Sequence, residues 1–398
     1  MRVARWGIVL ISADITIVGA GMVGLALAAQ LSDSGLSIAL INRDPIARSL
    51  PTVADSRVSA LNIASQQMLD EVGAWPHVDL LRTCGYTDMH VWEKDSFANI
   101  HFAATETSHD VLGTIVENQN IINALLSVVS QQSNVRIIDN FALSTINITE
   151  PCAVLTSQDG DVISTALVVG ADGAQSVVRR TLQLPMTHWH YDHSAIVATI
   201  HTQLPHQKTA RQAFTAFGPL AFLPLNDPHQ CSIVWSQDTS RADMLMALTD
   251  DIFCQQLATT LDMQLGTCEL LNKRMCIPLT MRYVRKWVSH RAVVIGDAAH
   301  TIHPLAGQGV NLGFQDSIAL AQALKNLDKS QLGKIQPLRH FERARKSEAV
   351  KMIATMEGFK RLFAGNDPLQ KLVRGLGMSA ADKLPTAKRM LIQQAMGA

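Results

Sequence analysis

No excess charge of either sign marks this chain of 398 residues, in which 34 Lys and Arg balance 34 Asp and Glu. A strongly basic surface of the kind that holds nucleic acid is therefore not expected. Cysteine is sparse, and none of Cys84, Cys152, Cys231, Cys254, Cys268 and Cys276 forms a Cys-x-x-Cys pair. The chain needs no disulfide framework, which fits a reducing cytoplasm. No low-complexity run or internal repeat is evident. Long apolar runs are also missing, with one exception: residues 15–32 are 18 positions without a charge, the length of a short membrane span. Gly19, Gly21, Gly24 and Gln30 interrupt that run, and a strand–turn–helix reading explains each glycine. Residues 6–11 follow Arg2 and Arg5 in the manner of a secretory signal. That run is short and no small-x-small cleavage site follows it, so residues 1–12 read as an extension ahead of the first strand.

What is present is enough apolar matter for a sizeable core, 47% of residues against 17% charged. The length suggests two or three domains at roughly 100–200 residues each. The richest stretch is Gly296-Asp297-Ala298-Ala299-His300, continuing through Pro304 and Gly307-Gln308-Gly309-Val310 to Asn311. Residues 293–295 read as a short buried strand, and Asp297 sits beyond its C-terminal end, where open α/β sheets place ligands. Gly307 and Gly309 allow backbone to approach a flat ligand, having no Cβ. From Val310 the pattern turns helical, and the free N–H groups of a helix start favour negative charge. A reduced flavin carries such charge at N1 and the C2 oxygen.

Two upstream motifs share this form. Gly19-Ala20-Gly21-Met22-Val23-Gly24 follows an apolar strand at residues 15–18, opens a helix and precedes a second strand at residues 37–41. That is the context in which Gly-x-Gly-x-x-Gly binds a dinucleotide: a tight turn, backbone against pyrophosphate, and close helix packing. The other motif, Gly170-Ala171-Asp172-Gly173 ahead of Ser176, ends an apolar strand and starts a helix. Taken alone it is equally an ordinary strand-to-helix turn with Ser176 as cap.

In this order and spacing the three motifs resemble those of the class A flavin-dependent aromatic hydroxylases, over nearly the whole chain from Asp14. Within that family the pattern is similar to the ubiquinone-biosynthesis hydroxylases. It is carried by Asp55-Ser56-Arg57-Val58-Ser59-Ala60-Leu61, Val116-Glu117-Asn118, Ala221-Phe222-Leu223-Pro224-Leu225, and the Gly296 motif through Gln315-Asp316. The resemblance implies an α/β fold: a Rossmann-type FAD-binding domain of the glutathione-reductase kind, a β-sheet substrate domain and C-terminal helices. It implies that FAD is reduced by NADPH or NADH and that reduced flavin adds dioxygen at C4a. The hydroperoxide then passes one oxygen to the ring of a polyprenylated phenol on the route to ubiquinone. Gly19, Gly21 and Gly24 would lie against the FAD pyrophosphate, and Arg57 near the flavin and its phosphates. Asp172 and Gly173 would serve FAD and the nicotinamide cofactor. Gly296 and Asp297 would reach the ribityl chain, while Pro304 and Gly307, Gln308, Gly309, Val310 and Asn311 would line the isoalloxazine.

One position departs from the family. The strand at residues 37–41 should end on a glutamate that grips the adenosine ribose, and Asn42 stands there instead. An amide oxygen is a weaker, uncharged acceptor, so FAD binding is expected to be looser than in a Glu-bearing relative. Asp44 lies past the strand end. Asn42 also keeps a non-catalytic accessory role in a quinone-biosynthesis complex in view, and a hydroxylase for another aromatic substrate is the remaining alternative. No catalytic acid or base is marked by spacing.

The expected domains are a discontinuous FAD unit (14–88, 119–180 and 288–325), a substrate unit (89–118 and 181–287) and a helical region (326–398). Strands are expected at 194–201, 211–217, 220–225, 231–235 and 275–279, and a helix over 243–261. Phe222 and Pro224, with Pro304, are the candidates for lining an apolar pocket, which favours a domain interface. His188, His190 and His193 with Asp192 invite a metal reading, but histidines on the surface ahead of a strand are the plainer one, and no metal is expected. From Lys325 onward, 15 Lys and Arg face 6 Asp and Glu. This is either a solvated basic face or a surface for anionic lipid that would bring the enzyme to the inner face of the membrane.

Overall fold

The computed structural model describes residues 10–94, 96, 99–301, 309–363 and 388. Its first layer is a mixed sheet with the order β18-β19-β11-β1-β2-β8. These strands are β1 (Leu10–Val18), β2 (Ile38–Ile41), β8 (Val135–Ile138), β11 (Val162–Gly170), β18 (Val288–Ser289) and β19 (Ala292–Val294). β1, β2, β8, β11 and β19 run parallel, and β9 (Leu143–Ile148) and β10 (Ala153–Ser157) fold back beside β11. The apolar, β-branched run of β1 suits a strand covered on both faces. Helix α1 (Met22–Gln30) is buried from Gly24 to Ala29, so its lack of charge reflects enclosure by protein. It packs against α3 (Asn118–Val129) and α7 (Gly309–Lys325).

The register explains why the motifs meet. Ile41, Val18, Gly170 and Val294 stand side by side across the four central strands. Asn42, Gly19, Asp172 and Gly296 therefore leave the sheet together, at the C-terminal ends of parallel strands, where such sheets bind ligands.

The second layer is a nine-stranded sheet ordered β20-β17-β12-β15-β14-β13-β5-β6, with β16 beside β12. Its strands are β5 (Asp88–Glu93), β6 (Asn99–Ala103), β12 (Met186–Thr202), β13 (Thr209–Thr215), β14 (Gly218–Pro224), β15 (Gln230–Asp238), β16 (Cys268–Leu270), β17 (Met275–Val284) and β20 (His300–Thr301). One face packs on α5 (Thr239–Ala247) and α6 (Asp250–Thr260). A single helix was expected there; it breaks because Leu248 and Thr249 are extended (ψ 154° and 157°). The histidines expected ahead of a strand lie inside β12, at a register shift between His190 and His193. His193 faces Asp238 at 2.8 Å. Among the described residues no group of three or more His, Cys, Asp or Glu is placed to hold a metal.

A third sheet of three strands joins the layers: β3 (Val58–Leu61), β7 (Gly113–Glu117) and β4 (Thr83–Tyr86). β7 fell within the stretch expected to extend the substrate sheet, yet it pairs with β3 and β4. Helix α2 (Ile63–Glu71) follows β3, capped by Asn62, whose side chain accepts from Ser65 N–H at 2.9 Å. The short α4 (Val177–Thr181) follows β11. The long α8 (Ile335–Phe363) packs on α7 and β18. No described helix is long and apolar enough to cross a membrane.

Candidate active site

The glycines of the first motif divide their labour. Gly19 has φ +107°, and a Cβ there would stand 2.5 Å from the Ala171 carbonyl oxygen, at the end of the neighbouring strand. A Cβ on Gly24 would overlap the Gly19 carbonyl oxygen outright. Gly21 differs, because nothing lies within 4 Å of its Cβ position. Gly19 and Gly24 thus make the turn and the helix packing possible, while Gly21 leaves an open approach to the start of α1. No side chain caps that start and its first turn holds no carboxylate, so its N–H groups are available to an anion.

Asn42 completes the loop. Its Oδ1 accepts from Ala20 N–H at 3.1 Å and its Nδ2 donates to Asp44 O at 2.7 Å. The Asp44 carboxylate turns aside to the exposed Arg43 at 2.9 Å. Both ends of the amide are therefore engaged by backbone. Asn42→Glu should tighten FAD severalfold, because a carboxylate can keep the Ala20 bond and still accept from a ribose hydroxyl. Titration of protein fluorescence with FAD measures this, and an unchanged Kd would refute it.

The second and third motifs are bolted together. Asp172 Oδ2 accepts from Val177 N–H at 2.6 Å and Val178 N–H at 3.1 Å, while Ser176 Oγ caps Arg179 N–H at 3.0 Å. Asp172 and Ser176 thus both cap the start of α4. Asp172 Oδ1 is buried with no hydrogen-bond partner among the described residues. Arg179 is buried and donates to Ala298 O at 2.9 Å and to Ala174 O at 2.7 Å, tying the two turns.

Gly296 takes a left-handed turn (φ +58°), after which Asp297 is accessible to solvent although protein closely surrounds it. Burial holds its carboxyl above the ordinary carboxylate value, against the opposing charges of His300, Arg282 and Arg57. Arg282 on β17 carried no signal in the sequence. Helix α7 starts at Gly309, with open space at its Cβ position, followed by the half-buried Val310. Asn311 ties this helix to β3, donating to Ala60 O at 2.8 Å and accepting from Asn62 N–H at 3.2 Å. Pro304, Gly307 and Gln308 lie outside the described residues.

The Arg57 segment is held from below and above. Glu117, 2% exposed, pairs with Arg82 through both oxygens at 2.6 Å and accepts from Asp55 N–H at 2.9 Å. Asn118 N–H donates to Arg57 O at 3.0 Å. From the second layer, Ser232 donates to Ser56 O and Thr199 to Ala54 O, each at 3.0 Å. These bonds account for the two motifs around Arg57 and Glu117.

The pocket candidates Phe222 and Pro224 point away from the motif row. Phe222 is fully buried in the cluster with Trp235 and Phe253, between the sheet and α5–α6. Strand alternation turns Pro224 the same way. Leu223 faces the opposite side and packs with Ala60, Ile115, Leu225 and Val234. Val234, in the middle of a central strand, remains partly accessible and bridges this cluster to that of Ala195, Val197, Leu279 and Met281. Leu223 and Val234 therefore face the third sheet, and Phe222, expected to line an apolar pocket, lies on the other side.

An open glycine turn, an uncapped helix start and strand-end polar groups in one row fit a dinucleotide. The FAD binding domain family model matches residues 12–354. This chain belongs to that family. Among members, 3-demethoxyubiquinol 3-hydroxylase of Escherichia coli is 33% identical over 390 residues, 96% of this chain and 98% of the relative. Ubiquinone hydroxylase UbiL of Rhodospirillum rubrum is 31% identical over 389 residues, 97% of this chain and 90% of the relative. The solved p-nitrophenol 4-monooxygenase PnpA of Pseudomonas putida DLL-E4 matches with TM-score 0.79 over 98% of this chain and 99% of that one. At 16% identity that likeness speaks for the fold of the FAD-binding family and nothing finer.

Proposed function

We propose that this chain is an FAD-dependent monooxygenase that hydroxylates the ring of a polyprenylated phenol or quinol in ubiquinone biosynthesis, with NADH or NADPH and dioxygen as co-substrates. Its full-length likeness to two ubiquinone hydroxylases carries the reading. The row of motif ends at the C-terminal ends of the parallel strands supports it. Gly21 and the start of α1 would take the diphosphate, Asn42 the ribose, Asp297 the ribityl chain, and the start of α7 with Val310 the ring. FAD, when bound, supplies the electron transfer and oxygen activation. The residues of this chain bind, orient and exclude water. Leu223 and Val234 offer an apolar roof, and Arg57 and Arg282 offer positive charge beside Asp297. The FAD unit would comprise residues 14–88, 119–180 and 288–325, joined by 113–117 through the pairing of β7. The substrate unit would hold the rest of 89–118 and 181–287, and the helical region 326–398.

Deleting the gene and profiling isoprenoid quinones by mass spectrometry tests the substrate. A prenylated phenol or quinol short of one oxygen should accumulate, and an unchanged quinone pool would overturn the assignment. Purified protein should show a flavin spectrum; none, even after FAD addition, would favour the accessory role.

The reading includes peripheral contact with anionic lipid. A shallow groove of about 530 Å³ between Tyr283 and α8 sets Val350 beside Arg343, Lys346 and Lys351. Flotation with liposomes should show a preference for anionic over neutral lipid, and equal recovery would count against it.

A further inference from the structure

The buried carboxylate of Asp316 joins three segments distant in sequence. It is 0% exposed. Its Oδ2 accepts from Gly296 N–H at 3.0 Å and from His300 Nε2 at 2.6 Å. Its Oδ1 accepts from Arg345 Nε, on α8, at 2.7 Å. A second link lies one turn back on the same helix, where Glu342 accepts from Trp287 N–H at 2.7 Å. The Trp287 ring stacks on His300 with centroids 5.1 Å apart. Helix α8 therefore grips both sides of the turn that carries Asp297.

The chemistry makes the grip consequential. A buried carboxylate must be paired, and Arg345 supplies the fixed positive charge. A left-handed glycine turn with an unpaired N–H would be poorly held, and Asp316 is the acceptor of that N–H. Asp297 is the next residue along, so where Asp316 sits decides where Asp297 points.

We propose that Asp316 and Arg345 are positioning residues for the flavin turn, through which the docking of α8 and the binding of FAD reinforce one another. The inference rests on FAD as the group that Asp297 faces. Because coupling between two equilibria is reciprocal, FAD must hold α8 in place by the factor by which docked α8 strengthens FAD binding.

FAD titration of the purified full chain, read by flavin fluorescence, tests this with three variants. Arg345→Met should weaken FAD on the order of tenfold. Arg345→Lys should restore part of the loss. Leu257→Ala, which removes buried packing on α6 away from α8, should lower the melting temperature and leave Kd unchanged. Hydrogen exchange supplies the reciprocal readout: FAD should slow exchange of α8 amides in the wild type, and much less in Arg345→Met. The proposal falls if Arg345→Met lowers the melting temperature alone, if Leu257→Ala weakens FAD as much, or if FAD leaves α8 exchange untouched. A wild-type chain that binds no FAD would overturn the cofactor assignment itself, and this inference with it.

Discussion

Gly24→Ala should yield a protein that emerges from gel filtration without bound flavin. The added methyl would overlap the Gly19 carbonyl oxygen and stand 3.4 Å from Ala171 Cβ. Backbone cannot rotate away as a side chain can, so either α1 retreats or the Gly19 turn opens. Retreat is blocked, because α1 is enclosed by the sheet, α3 and α7. Overpacking of this kind costs roughly 1–3 kcal/mol or more, and the distortion falls on the turn that faces the diphosphate. Gly21→Ala separates the two effects. Its Cβ meets nothing within 4 Å, so the fold should keep its melting temperature while the methyl occupies the approach to the helix start. Flavin absorbance and thermal unfolding of both variants decide the matter. Wild-type flavin content in Gly24→Ala would mean that α1 has more freedom than its burial implies.

The contrast between these glycines also marks what a sequence makes legible. Turn chemistry is local: Gly19 and Gly296 adopt left-handed backbone and Gly24 packs against a carbonyl, so each leaves a visible mark. The strand before each motif ends in an apolar run, and the row at the C-terminal ends of the parallel strands follows from that pattern. Facing is harder to read. Residues 220–225 are all buried, and without alternation Phe222 cannot be assigned to either side. The helix break at Leu248 carries neither Gly nor Pro to announce it. Pairing is hardest of all. Arg345 meets Asp316 across 29 residues and Arg179 reaches Ala298 across 119, separations at which no periodicity survives. Glu117 and Asn118 were visible only as part of a family pattern, and their grip on Arg57 emerges from the folded chain.

Removing the Asp316 carboxylate should have the largest effect on stability of any change within the site. Asp316→Ala would leave Arg345 and His300 facing each other without their anion and Gly296 N–H without an acceptor. Loss of one partner from a buried pair costs about 3–5 kcal/mol, readable as a shift in the urea midpoint at neutral pH. The pH dependence gives the sign. Burial pushes the Asp316 carboxyl up, but His300 and Arg345, each by charge and hydrogen bond, outweigh it and hold it below the ordinary carboxylate value. The folded state therefore favours the ionised form. The stabilisation is complete above the unfolded-state value of about 3.9 and is lost as pH falls through the lower folded-state value. The stability gap between wild type and Asp316→Ala should thus close as acid protonates the carboxylate. A gap that persists unchanged into acid would show that packing around Asp316, and not its charge, holds the turn.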